Sequence, residues 1–235
     1  FETGDNRLLI PEGSAERISI QHDGFAHLPN DTWKGAGMAI PVFSLRTKNS
    51  FGVGEFNDIK LLVDWSKLTG LKLVQLLPVN DTTATNTWLD SYPYAAISAF
   101  ALHPVFINLP KVAGKEYASQ LSSLKKKQKQ LNENSVVDYE EVMKLKNAVL
   151  KKLYEVMGEE CFATDDYKEF FTTNRQWLQP YAAFCYFRDK YGTSRFEEWK
   201  TNQTYNKAAV EKLFANGNTV TKQLGLYCFI QYHLH

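Results

Sequence analysis

Two apolar runs decide the fold: G-A-G-M-A-I-P-V-F-S-L (Gly35–Leu45) and L-K-L-V-Q-L-L-P-V (Leu71–Val79), with F-G-V-G-E-F (Phe51–Phe56) after the first. Between them, from about Asn57 to Thr69, Ile59, Leu62 and Val63 recur at helical spacing. Asn57 suits the N-cap of that helix and Gly70 its stop. Strand, helix, strand in this order is a βαβ unit, whose strands pair in parallel through a right-handed crossover. The runs are continuous rather than alternating, which predicts strands covered on both faces, with Met38, Ile40 and Val42 in the core. Gly52 and Gly54 predict a tight turn before the helix, and without a phosphate-loop lysine they say little about nucleotides.

Outward from this unit lie D-S-Y-P-Y (Asp90–Tyr94) and S-A-F-A-L-H-P (Ser98–Pro104). After Pro110 the pattern turns helical. The run Lys125–Lys129 reads as a solvated helix face, and Asp138 with Glu141 reads as a capping box stapled by Val137 and Val142. Val142, Leu145, Val149, Leu153 and Val156 then keep helical spacing as far as Gly158. Asp165 opens a short aromatic helix, and Pro180 suits the first turn of another that ends at Gly192 and turns Tyr181, Phe184, Cys185 and Arg188 inward. A last helix is expected over Thr221–His235.

Composition narrows the function classes. A chain of 235 residues with 44% hydrophobic content buries a sizeable core, and its net charge of +1 points to neither nucleic acid nor an anionic membrane. Three scattered cysteines, Cys161, Cys185 and Cys228, read as reduced thiols in a cytoplasmic protein. No apolar run reaches the ~18 residues that a membrane span needs. The five histidines show no H-E-x-x-H spacing and no serine sits in a G-x-S-x-G elbow, so no metal site or serine nucleophile is expected.

The words I-P-V-F-S-L-R, F-G-V-G-E-F, L-P-V-N-D-T and S-Y-P-Y followed by S-A-F-A together resemble the start of the catalytic barrel of 4-α-glucanotransferases, the amylomaltase or disproportionating-enzyme family, in the form with starch-binding modules ahead of the barrel. W-L-Q-P-Y-A-A-F (Trp177–Phe184) and Y-C-F-I-Q-Y-H-L (Tyr227–Leu234) resemble that family's helical insertion. F-E-T-G-D-N-R (Phe1–Arg7) resembles the end of a starch-binding sandwich, with Phe1 where the family has a sugar-stacking tryptophan and Asn6 where it has an asparagine; the same residues also read as a turn between edge strands.

The resemblance implies an α/β fold: a partial (β/α)8 TIM barrel with a mainly helical insertion, preceded by the tail of a β-sandwich. The implied parts are 1–21 the module tail, 22–34 a linker, 35–110 the barrel start and 111–235 the insertion. In a barrel the working face lies at the C-terminal strand ends, which draws attention to Ser44–Arg46 and Pro78–Asp81. By resemblance Tyr94 is a donor-site tyrosine, Asp90 and Ser91 match the approach to it, and Tyr92 stands where many members have serine; with Ser44 these form the expected substrate-binding set. Spacing alone also allows Tyr92 and Tyr94 to pack on the rim. The implied partners are α-1,4-glucans such as maltooligosaccharides, starch and glycogen, with no organic cofactor. The family's carboxylate nucleophile sits in a G-D-x-P-I strand that is missing here, so the nucleophile and acid/base are expected beyond His235 and the chain is expected to be a piece of a larger enzyme. A non-catalytic carbohydrate-binding or scaffold piece, or an α-glucan hydrolase of the same barrel type, are the other readings.

Overall fold

In the computed structural model, β1 (Gly37–Ile40) and β2 (Leu73–Leu76) pair in parallel, with Gly37 opposite Leu73 and Ile40 opposite Leu76. The connection carries α1 (Phe56–Leu68), so the expected βαβ unit is present. The structure describes residues 34–215 and 219–235; the expected starch-binding tail, with Phe1 and Asn6, and the linker up to residue 33 lie outside the described residues. Gly37–His235 form one compact unit. Both strands are shorter than the apolar runs, because Pro41 and Pro78 have no N–H to give a ladder.

Coverage differs from expectation. The strands alternate between exposed and half-buried residues, with Val42 buried just beyond β1. Among the described residues no third strand extends the sheet, so each strand has one unpaired edge, and alternate residues of both strands stay exposed. The start of α1 also moves. Glu55 is the N-cap rather than Asn57, and Asp58 Oδ2 accepts the Glu55 backbone N–H at 2.8 Å. Gly54 matters here for contact rather than turning: a Cβ on it would run into the Val42 carbonyl.

Beyond β2 the chain folds back on itself. Asn80 bridges Leu102 in antiparallel fashion, and His103 N–H donates to the Val79 carbonyl at 3.0 Å. The helical part comprises α2 (Leu109–Ala113), α3 (Ala118–Ser122), α4 (Lys125–Glu133), α5 (Tyr139–Ala163), α6 (Asp165–Tyr191), α7 (Lys207–Leu213) and α8 (Thr221–Leu234). Asp138 caps α5, accepting from the Glu141 N–H at 3.1 Å, but the expected box stays half made because the Glu141 carboxylate pairs with Lys127 and Lys144. The basic run on α4 is a surface face, with Lys127 paired to Glu141 at 2.8 Å.

Two punctuation marks misled. Gly158 does not stop α5, which runs on to Ala163; it makes room for the Tyr154 ring, as Gly225 on α8 does from the other side. Pro180 does not start a helix but sits inside the single helix α6. Proline there costs a helical hydrogen bond, about 3 kcal/mol. Leu178 and Ala182, fully buried on either side of it against α5 and α8, hold the helix continuous. Cys161, Cys185 and Cys228 are free and buried.

One ion pair locks the helices to the βαβ unit. Lys146 of α5 is wholly buried; its Nζ lies 2.6 Å from Glu55 Oε1 and donates to the Val105 and Ile107 carbonyls at 2.7 and 2.8 Å. Asn108 Nδ2 donates to the other Glu55 oxygen at 2.6 Å. Burial pushes the Lys146 ammonium below its usual range, while the Glu55 carboxylate holds the proton on it. Lys146→Met leaves a buried carboxylate without its cation and is expected to cost about 3–5 kcal/mol in urea unfolding; the double replacement Glu55→Met, Lys146→Met is expected to cost less than the sum of the singles.

Acid sensitivity follows from His233 on α8, which burial lowers to about 4 and whose Nε2 is buried without a partner. Between about pH 6.5 and 4 the unfolded chain takes up a proton that the folded one refuses, so stability falls as pH drops through that window. A lowering from 6.5 to about 4 is worth roughly 3 kcal/mol. Urea midpoints at pH 7 and pH 4.5 measure this, and His233→Gln is expected to flatten the dependence.

Candidate functional site

The C-terminal ends of β1 and β2 open into a cleft of about 590 Å³, between Phe43 after β1, Pro78 and Asn80 after β2, the loop carrying Trp88 and Ser91, and the start of α5 at Tyr139 and Glu140. Its position comes from the βαβ topology: both strands point the same way, so the loops leaving them gather on one side.

Asp90 builds the loop that walls this cleft. It is buried, and its carboxylate accepts from Thr85 N–H at 3.0 Å, Thr85 Oγ1 at 2.9 Å and Asn86 N–H at 2.7 Å. Asn86 takes a left-handed backbone with φ of 57°, which asparagine tolerates. The Asp90 carbonyl in turn accepts from the Thr82 hydroxyl. Glu140 Oε1 accepts the Trp88 N–H at 2.9 Å and so ties the loop to α5.

The held loop presents aromatic rings to solvent. Tyr92 and Tyr94 are each 61% exposed, with ring centroids 5.5 Å apart and planes tilted by 52°. Neither hydroxyl makes a hydrogen bond among the described residues. Trp88 is exposed as well and lines the cleft beside Ser91. Ser44 is exposed and donates to the Pro41 carbonyl at 2.8 Å, closing the turn after β1. The five expected residues thus divide: Tyr92, Tyr94 and Ser91 face outward on one loop, Asp90 lies beneath them, and Ser44 sits at the other strand end.

Under the cleft lie His103 and Tyr139, a pair that the sequence did not single out, and a polar group built on Asp81. His103 Nδ1 accepts the Val105 N–H at 3.1 Å, which leaves Nε2 to carry the proton toward the Tyr139 hydroxyl, also at 3.1 Å. Burial holds His103 below its ordinary value and Tyr139 above its own, so both rings are neutral at pH 7. Asp81 is buried and accepts from Thr83 N–H at 3.0 Å and from the Tyr181 hydroxyl at 2.7 Å. Arg188, expected to point inward, does so and donates to the Thr83 carbonyl at 2.7 Å. A polar spine from α6 thereby supports the strand-end loop from behind. His103 and Tyr139 are 36 positions apart and give no local signal.

The carboxylates of the cleft all hold backbone in place: Asp81, Asp90, Asp138 and Glu140 each accept at least one backbone N–H. Among the described residues, no three His, Cys, Asp or Glu side chains gather closely enough to hold a metal ion, and no helix is long and apolar enough to cross a membrane. The arrangement offers aromatic faces and hydroxyls held by an ordered loop at the strand ends.

The sequence profile described as 4-alpha-glucanotransferase matches residues 40–235. The chain is similar to 4-alpha-glucanotransferase DPE2 of Oryza sativa subsp. japonica, with 38% identity across 100% of this chain and 25% of that protein. It is also similar to a 4-alpha-glucanotransferase of Chlamydia muridarum, with 30% identity across 86% of this chain and 37% of the other. A third likeness, at 23% identity over 77% of the chain, is to a 4-alpha-glucanotransferase of Clostridium butyricum. The chain therefore spans well under half the length of these relatives and belongs to the 4-alpha-glucanotransferase family.

Proposed function

We propose that this chain supplies part of the glucan-binding surface of a 4-α-glucanotransferase, an enzyme that moves a glucanyl unit from one α-1,4-glucan to another sugar by a retaining mechanism. In this reading β1, α1 and β2 are the opening unit of a (β/α)8 barrel, and α2–α8 are a helical insertion. The observation that carries it is the exposed Tyr92–Tyr94 pair, which flanks Pro93 in the lining of the strand-end cleft, within a chain of this family. The exposure of both rings supports a binding role over rim packing.

The roles follow from geometry and chemistry. Tyr94, with Tyr92 beside it, offers a rigid face for the apolar side of a donor sugar ring. Ser91 presents a hydroxyl to the cleft. Asp90 keeps the loop in shape from below, and Ser44 closes the turn opposite. Retaining transfer needs two carboxylates about 5–5.5 Å apart, a nucleophile and an acid/base. The carboxylates of this cleft are committed to the backbone, so we assign that pair to parts of the relatives that this chain does not span. Phe1 and Asn6 stay proposed as the remnant of a starch-binding module. Three buried free cysteines suit a reducing compartment, and the cytoplasm is the proposed location.

Two outcomes test this. In the whole protein, Tyr94→Ala is expected to cut turnover on maltotriose at least tenfold while leaving the melting temperature within about 2 °C, because an exposed ring contributes little to stability. A matching loss of stability would instead make Tyr94 a packing residue. The 235-residue chain alone, incubated with maltotriose, is expected to give no glucose and no longer oligosaccharides above a mock-purified control. Redistribution by the chain alone would reveal a carboxylate pair within it.

A further inference from the structure

The outer face of α6 carries a second cavity, which shares no lining residue with the strand-end cleft. It measures about 350 Å³ and lies between α6 and the segment from Phe196 to Asn206. Among the described residues its lining holds no charged side chain; it is aromatic, with the amides of Asn202, Gln203 and Asn206 and the hydroxyl of Thr204. That combination suits a neutral, hydroxyl-rich ligand and disfavours an anion or a cation.

Its parts are of two kinds. Trp199 and Phe187 form a fixed floor: both are buried, their ring centroids are 5.6 Å apart, and Trp199 Nε1 donates to the Thr193 carbonyl at 2.8 Å. Tyr205 is different. It is 65% exposed, and among the described residues its ring meets no other ring and its hydroxyl makes no hydrogen bond. Tyr205 also borders a neighbouring cavity of about 220 Å³, which Gln176 and Gln179 line together with the charged Arg175, Lys207 and Glu211. Pro180 borders both, and because it has no N–H it leaves the Gln176 carbonyl without its helical donor.

The segment is shaped to display these groups. Asn202 sits in the left-handed region with φ of 63°, and Gln203 Nε2 fixes the turn by donating to the Glu197 carbonyl at 3.0 Å. Asn206 Oδ1 caps α7 through the Ala209 N–H at 2.9 Å, while its Nδ2 has no hydrogen-bond partner among the described residues. Asn202 Nδ2 spends one N–H on Thr201 Oγ1 at 3.0 Å and keeps the other. An unpartnered aromatic ring between these two amides has the chemistry that recognises a pyranose: stacking on the C–H face and hydrogen bonds to ring hydroxyls.

We propose that this groove is a second α-glucan-binding site, with Tyr205 as its stacking platform and Asn202 and Asn206 as hydrogen-bonding amides. The choice of an α-glucan over another neutral sugar rests on the function proposed above. A site away from the strand-end cleft holds a long glucan without taking part in the reaction.

Maltoheptaose titrated calorimetrically into the 235-residue chain tests this. Tyr205→Ala is expected to weaken binding about fivefold or more, and Tyr205→Phe to keep it, since stacking needs the ring and not the hydroxyl. The same loss is expected when Tyr205→Ala is made in a Tyr94→Ala chain, and neither change is expected to alter the melting curve of an exposed residue. Unchanged binding in Tyr205→Ala, or no binding by the unaltered chain, overturns the second site; if Tyr94→Ala then abolishes the binding that remains, the strand-end reading stands without it. Binding that survives Tyr94→Ala at full strength and vanishes with Tyr205→Ala supports the second site and counts against the strand-end reading. Binding of an apolar dye, lost with Tyr205→Ala while maltoheptaose has no effect, would make the groove a docking surface and overturn the proposal.

Discussion

The contact on which the rest depends is the buried pair of Glu55 and Lys146. Burying an ammonium and a carboxylate is costly, and the cost is offset only when both are fully bonded. Here the three Lys146 donors reach Glu55, Val105 and Ile107, and Asn108 completes the carboxylate. These partners come from the loop before α1, the turn after His103, and α5. One side chain thus fixes three segments that lie 39 to 91 positions apart in sequence. Apolar packing alone would tolerate a slide of α5 past the segments it covers; three short charge-assisted bonds do not.

The cleft inherits that rigidity. With α5 fixed, its first turn brings Tyr139 under His103 and Glu140 to the Trp88 N–H. The aromatic loop is then pinned from α5 by Glu140, from within by Asp90, and from α6 through Asp81 and Tyr181. Its exposed tyrosines ride on a loop whose backbone has little freedom left. A stacking surface gains affinity from such order, because ordering the loop costs nothing further at the moment of binding.

The βαβ unit was legible because continuous apolar runs and helical spacing are local properties of the chain. What covers a strand is not local, and there the reading failed: the same apolar residues serve a strand with two covered faces or one awaiting a neighbour. Gly158 and Pro180 were read as punctuation, yet the first accommodates Tyr154 and the second sits in a helix held by packing on both sides of it. Lys146 did leave a trace, since it falls four residues after Val142 and three before Val149 on the apolar face of α5. A charge in that stripe asks for a buried partner, but spacing does not name Glu55. Within the site, Tyr92 and Tyr94 were visible as a word, whereas the work of Asp90 became visible only with its three donors.

The commitments of the carboxylates bear on what this surface does. A carboxylate that serves as nucleophile or acid must be free to approach a sugar carbon or a glycosidic oxygen. Asp81, Asp90, Asp138 and Glu140 are instead acceptors for backbone N–H groups, so moving any of them toward a substrate would undo the loop or the helix start that it holds. An aromatic rim grips the ground state and the transition state about equally, and such uniform binding does not lower the chemical barrier. What such a rim can contribute, on the proposed function, is register: it would set which glycosidic bond meets a carboxylate pair held elsewhere. On the proposed function, the division of labour is that these strand-end loops hold and register the glucan while the reacting groups come from elsewhere in the enzyme.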